Sequence, residues 1–147
     1  MTHPMKAFSR LIAALAIAAS LAPPAMAGDS AAGDPPAIRS VIQSQIDAFQ
    51  QDDGAAAYGL ASPTIQQIFP SVGAFMDMVR GQYQPVYRPR SVTFGPLVDG
   101  PSGAEQKVFL VGPDGARYVA LYTLQRQPDG SWKINGCVLL PDNAPMA

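Results

Sequence analysis

The stretch Gly112–Gln127, GPDGARYVALYTLQRQ, decides how the chain folds. Gly112-Pro113-Asp114-Gly115 is a tight-turn sequence, and Arg117–Gln127 behind it is rich in β-branched and aromatic residues. It reads as the longest strand. Pro128-Asp129-Gly130 turns the chain again at its far end. Before it, Gln106–Val111 (QKVFLV) reads as a strand entered from the turn Asp99–Gly103. After it, Ser131–Leu140 reads as the last strand. Consecutive strands joined by such short turns must be antiparallel. The second half of the chain is therefore a meander of three or four strands.

The long strand also predicts what surrounds the sheet. Tyr118, Ala120, Tyr122 and Leu124 point one way, and Val119, Leu121 and Thr123 the other. A sheet with one wet face alternates apolar and polar residues. Here both faces are apolar, and helices can cover only one. A homodimer partner through the sheet would cover the second. The rival explanation is an apolar ligand cleft between helices and sheet.

Upstream the period changes to that of helices. Asp34-Pro35-Pro36 is a helix start, and Ile38, Val41, Ile42, Ile46 and Phe49 follow on one face. Asp52-Asp53-Gly54 ends that helix, and Asp53 can cap the next, Ala55–Leu60. Ser62-Pro63-Thr64 opens a short apolar turn that Pro70 breaks. Ser71 can cap a helix Val72–Gly81 with Val72, Phe75, Met76 and Val79 inward. Val86–Val98 (VYRPRSVTFGPLV) reads as an irregular edge strand, because its prolines cannot donate to a ladder. Helices first and strands second make an α+β fold, with the helices laid on one face of an antiparallel sheet.

The N-terminus has the layout of a secretory signal peptide. Lys6 and Arg10 precede the apolar run Leu11–Leu21, and Ala25-Met26-Ala27 is a small-x-small cleavage triplet. Eleven residues span about 17 Å as a helix, against a hydrocarbon core of about 30 Å. The expected division is 1–27 signal peptide, 28–36 flexible leader, 37–140 one domain and 141–147 loose tail. Removing 27 of the 147 residues leaves 120, exported and periplasmic, with no membrane span. The removed segment takes two of ten Lys/Arg and none of eleven Asp/Glu, so eight basic residues face eleven acidic ones, a net charge of −3. That is not the basic footprint of a nucleic-acid binder. The sole histidine, His3, leaves with the signal. Histidine-dependent triads, Cys-His pairs and the usual zinc sites are then excluded by counting, and neither a metal nor a cofactor is expected. One cysteine, Cys137, allows no internal disulfide.

Six stretches resemble known proteins. Ala48-Phe49-Gln50-Gln51-Asp52-Asp53-Gly54-Ala55-Ala56-Ala57-Tyr58 resembles the first-helix junction of the nuclear transport factor 2-like (SnoaL-like) superfamily. Asp129–Ile134 resembles that superfamily's final strand. Phe75–Arg80, Pro85–Ser91, Ala120-Leu121-Tyr122 and Trp132–Cys137 more closely resemble the bacterial family called domain of unknown function 4864. The resemblance runs from Ile38 to Leu140. It implies a cone, a curved sheet wrapped around helices with a pocket inside, often dimeric through the sheet's outer face. It implies no one activity, because the superfamily holds both enzymes and binding modules.

The candidate site residues follow from the chemistry each would supply. Asp77 sits amid Phe75, Met76, Met78 and Val79, where burial would suit a general acid; against that, it lies three residues before Arg80 and would pair with it in solvent. Arg88 and Arg90, two apart on the predicted strand, would share a face and converge on an anion, with Tyr83 and Tyr87 beside them. The alternative is an edge strand blunted by charge and proline. Tyr118 and Tyr122 would line a pocket with aromatic walls and hydroxyl tips, or belong to an ordinary core. No residue is assigned a catalytic role. The expected function is non-catalytic binding of a small apolar or amphipathic ligand or of a protein partner. The other expectation is a cofactor-independent isomerase, dehydratase or hydrolase using Asp and Tyr. Strict alternation along Trp132–Leu140 puts Cys137 with Lys133 and Asn135, away from Trp132, unless Gly136 marks a bulge that reverses the faces.

Overall fold

A computed structural model describes residues 33–143; the signal-peptide reading, most of the leader and the last residues of the tail lie outside them. Five helices precede four strands among the described residues: α1 Pro35–Gln50, α2 Gly54–Gly59, α3 Pro63–Ile68, α4 Val72–Gln82, α5 Gln84–Tyr87, β1 Ser91–Gly100, β2 Gly103–Val111, β3 Arg117–Arg126 and β4 Trp132–Pro141. No helix among these residues is long and apolar enough to cross a membrane.

The helix starts are those the sequence dictates. Asp34 accepts a hydrogen bond from the Ala37 amide, Asp53 from Ala56, Ser62 from Ile65 and Ser71 from Ala74. Each satisfies an amide that the first turn of a helix leaves without a partner. Pro35 and Pro36, expected in the leader, are the first residues of α1. Ile38, Ile42, Ile46 and Phe49 on its inner face are almost wholly buried. Ser62 also reaches the sheet, where its hydroxyl donates to Asn135 Oδ1 at 2.6 Å and ties α3 to β4.

The strands form an antiparallel sheet in the order β1-β2-β3-β4. The turns are those expected. Gly112 N–H donates to Ala116 O at 2.8 Å and Gln127 N–H to Ser131 O at 2.7 Å. Gly115 and Gly130 take φ of 84° and 88°, a left-handed conformation that a side chain disfavours. Ala104, Gln106, Val108, Leu110, Ala120, Tyr122, Leu124 and Ile134 form the buried inner face, which packs on α1, α2, α4 and α5 in one core.

One prediction for this region is overturned. Val86 and Tyr87 are not strand residues. They lie in α5, a single helical turn with Pro85 in its first positions, and β1 begins only at Ser91. Proline weakens a strand, but in the first turn of a helix its fixed φ is favourable and its missing N–H costs nothing, and here the second effect wins. Arg88, held before Pro89, leaves the helical region at φ −139° and ψ 62°. The remaining proline of the stretch does fall in an edge strand. Gly95-Pro96 forms a bulge in β1 between the pairs Phe94↔Val108 and Leu97↔Gln106. Buried Gln106 donates to Gly95 O at 2.8 Å across it.

A second bulge settles the face of Cys137. Leu124 pairs with Ile134, but Thr123 pairs with Gly136, so Asn135 is an extra residue in β4. Every side chain after it changes face. Cys137 pairs with Tyr122 on the inner face, and Val138 and Leu140 turn outward. Strict alternation would have put Cys137 outside.

Candidate functional site

The inner faces of β3 and β4 do not meet the helices everywhere. An apolar cavity of about 260 Å³ lies between them. Its floor is buried: Phe49 from α1, Phe75 and Val79 from α4, Val86 from α5, Tyr122 from β3 and Ile134 from β4. Ile65, Phe69, Met78 and Gln82 are half-buried or exposed and form its rim. Phe75 organises the aromatic wall, with ring centroids 6.1 Å from Phe49, 5.5 Å from Tyr58 and 6.3 Å from Phe69. Tyr58 is fixed by its hydroxyl, which donates to Phe69 O at 2.6 Å.

The cavity's polar groups are few. Gln45 is buried and donates from Nε2 to Ala57 O at 3.1 Å. Tyr83 donates its hydroxyl to Cys137 O at 3.0 Å. Tyr122 is 1% exposed, and its hydroxyl has no hydrogen-bond partner among the described residues. The Cys137 thiol lies close by. Burial pushes that thiol up to about 12, and Tyr122 draws it back only in part. Burial also raises the hydroxyl of Tyr122 well above the usual tyrosine value, and that of Tyr83 less. The thiol is therefore protonated and unreactive at neutral pH. No arginine, lysine, aspartate or glutamate lines the cavity.

The predicted site residues divide into three places. Tyr83 and Tyr122 meet at the cavity. Tyr87 and Arg88 stand at the turn after α1, around Asp52. Tyr87 donates to Asp52 Oδ1, and Arg88 Nη2 donates to Asp52 Oδ2 at 2.9 Å. Arg88 also donates to Phe49 O and stacks over the Tyr87 ring at 4.1 Å. Arg80 approaches Asp52 at 3.6 Å. The Tyr87 hydroxyl first, then the charges of Arg88 and Arg80, hold the Asp52 carboxyl below its usual value. Tyr118 and Arg90 belong to the β2–β3 turn. Tyr118 donates to Asp114 Oδ2 at 3.1 Å, and the Arg90 charge helps lower Asp114 after the Ala116 amide.

Arg88 and Arg90 therefore do not converge. Neither lies in a strand, and each serves a different turn. Asp77 is exposed over 84% of its side chain and pairs with Arg80 at 3.7 Å. Tyr118 and Tyr122 share a sheet face, but their hydroxyls serve different places. Sequence reasoning missed Asp52. Its only local signal was an acidic residue at a helix end, where a non-glycine at φ 53° is uncommon.

The outer face of the sheet is apolar too. Val138 is 55%, Leu140 43% and Phe109 37% exposed, with Val119 and Leu121 beside them half-buried. The fold and site define an α+β domain whose helices and open antiparallel sheet enclose an uncharged cavity. Among the described residues no cluster of His, Cys, Asp and Glu could hold a metal ion.

Residues 31–147 match the family described as Domain of unknown function (DUF4864), and the chain belongs to that family. No curated protein matches the chain.

Proposed function

We propose that this is a non-catalytic binding domain that holds a small apolar or amphipathic ligand in the cavity under β3 and β4. The observation that carries this reading is the Tyr122 hydroxyl, buried at the wall of an apolar cavity without a partner. A buried hydroxyl without a hydrogen bond is costly, and native proteins keep few of them. A ligand that bonds it removes the cost. The lining also favours binding over catalysis. It holds no carboxylate, and its one thiol stays protonated. An isomerase, dehydratase or hydrolase would need a base within reach of the bound molecule.

Three further parts of the reading rest on sequence and surface. The fold is a nuclear transport factor 2-like cone, supported by helices packed inside an antiparallel sheet and by the junction at Asp52-Asp53-Gly54. The mature domain is exported to the periplasm, supported by the layout of Met1–Ala27. A second copy covers the outer face through Phe109, Val138 and Leu140. The test of binding uses butylbenzene, a neutral hydrocarbon, with wild type and Met78→Trp, which narrows the rim. Butylbenzene should raise the melting temperature of wild type and not of a folded Met78→Trp variant. No shift in wild type would defeat the reading.

A further inference from the structure

The cavity has a size, a charge and one unmet hydrogen bond, and together these describe its occupant. A cavity of about 150 Å³ lined by apolar side chains binds benzene, with its six heavy atoms. By proportion, 260 Å³ holds about ten. No cationic side chain lines the space, so an anionic ligand would lose its hydration with no partner for its charge. No carboxylate lines it either, so a cation fares no better.

The hydrogen-bonding sites are unequal. The Tyr83 proton is committed to Cys137 O at 3.0 Å. The Tyr122 O–H faces the Cys137 thiol, whose sulfur is only a weak acceptor. That O–H makes no hydrogen bond of normal geometry to any described residue, so the donor lacks an oxygen or nitrogen acceptor. Unpaired donors are rarer in native structures than under-used acceptors.

We infer that the cavity selects a neutral molecule of about ten heavy atoms carrying one hydrogen-bond acceptor, a ketone, ester or lactone carbonyl, which the Tyr122 hydroxyl donates to. This rests on the binding reading above and adds the ligand's chemical class. Its apolar body packs on Phe49, Phe69 and Phe75, and its carbonyl lies at the Tyr122–Cys137 corner.

Three probes of one shape test this: butylbenzene, its ketone relative benzylacetone, and the anion 4-phenylbutanoate. Dissociation constants are measured by calorimetry on the full domain, wild type and Tyr122→Phe. Benzylacetone should bind wild type best. Tyr122→Phe should weaken it about tenfold, as expected for one lost buried hydrogen bond, and change butylbenzene less than about twofold. Equal binding of benzylacetone to both proteins, with butylbenzene still bound, overturns the carbonyl assignment and leaves the binding reading standing. Tightest binding of 4-phenylbutanoate overturns the neutral class. Failure of all three probes overturns the binding reading itself.

Discussion

Replacing Tyr122 with phenylalanine in the ligand-free protein should make the protein more stable, against the usual effect of altering a buried residue. The hydroxyl is buried with no partner, so the folded state bears its desolvation, about 1–3 kcal/mol. Two effects reduce the gain. The thiol of Cys137 gives the hydroxyl a weak interaction, and removing the oxygen leaves a small void, for which the penalty is about 24 cal/mol per Å³. The net expectation is about 1 kcal/mol in favour of the variant, or about 4 °C in melting temperature for a domain of this size. Urea denaturation followed by circular dichroism measures it, as a higher midpoint at unchanged slope. Tyr83→Phe is the matched control. Its hydroxyl is bonded to Cys137 O at 3.0 Å, so its loss should destabilise by about 0.5–1.5 kcal/mol. The two substitutions delete the same atom a short distance apart and should have opposite signs. A fall in midpoint for Tyr122→Phe would refute the reasoning, because it would mean that the hydroxyl makes a bond worth keeping.

Other outcomes follow from the same geometry. The Asp52 carboxyl is lowered in the folded protein, so the stability it contributes is present above its ordinary value of 3.8 and is lost as pH falls through the folded value; Asp52→Asn should flatten the acid limb of the stability curve, measured by urea midpoints. Cys137 is raised from 9.0 to about 12, so stability should hold below pH 9 and decline above it as the unfolded chain ionises first; Cys137→Ser should make that decline shallower, and native protein should react slowly with a thiol reagent at about pH 8. Val138→Asp, on the exposed outer face, should leave the fold intact and reduce the mass by light scattering from a dimer to a monomer. A wild type that is already monomeric refutes the second copy. Ile42→Ala, which empties a wholly buried site on α1, should destabilise by about 2–5 kcal/mol in the same urea assay.

The parts of the fold that were legible are those set by local chemistry. The caps at Asp34, Asp53, Ser62 and Ser71 each need only an acceptor side chain three residues before a free amide. The β2–β3 and β3–β4 turns need only glycine where φ is positive. What escaped depends on longer range or on degenerate signals. Pro85 starts a helical turn and Pro96 sits in a strand bulge, yet nothing in the two residues alone distinguishes them. Asp52 gathers Arg80, Tyr87 and Arg88 from elements that meet only after folding. Of the predicted site residues, Tyr83 and Tyr122 reach one cavity because β3, β4 and α4 converge there. Arg88 and Arg90 part because the chain between them is not a strand. The cavity itself is a property of packing, and no short motif encodes it.

The extra residue at Asn135 divides β4 into two half-strands in opposite phase. The first half, with Trp132 and Ile134 inward, seals the core beneath α1; the Ile134 amide and carbonyl are taken by Leu60 and Ser62, so its free edge is closed. The second half places Cys137 at the cavity and shows Val138 and Leu140 to the outside. One strand thus addresses the core, an apolar cavity and an outer surface, with a single extra residue at the junction. Deleting Asn135 would not shorten a loop. It would make the ladder regular, with Gly136 following Ile134, Cys137 still opposite Tyr122 and Val138 still outside, whereas an extra residue inserted after Cys137 would exchange inside for outside over the end of β4.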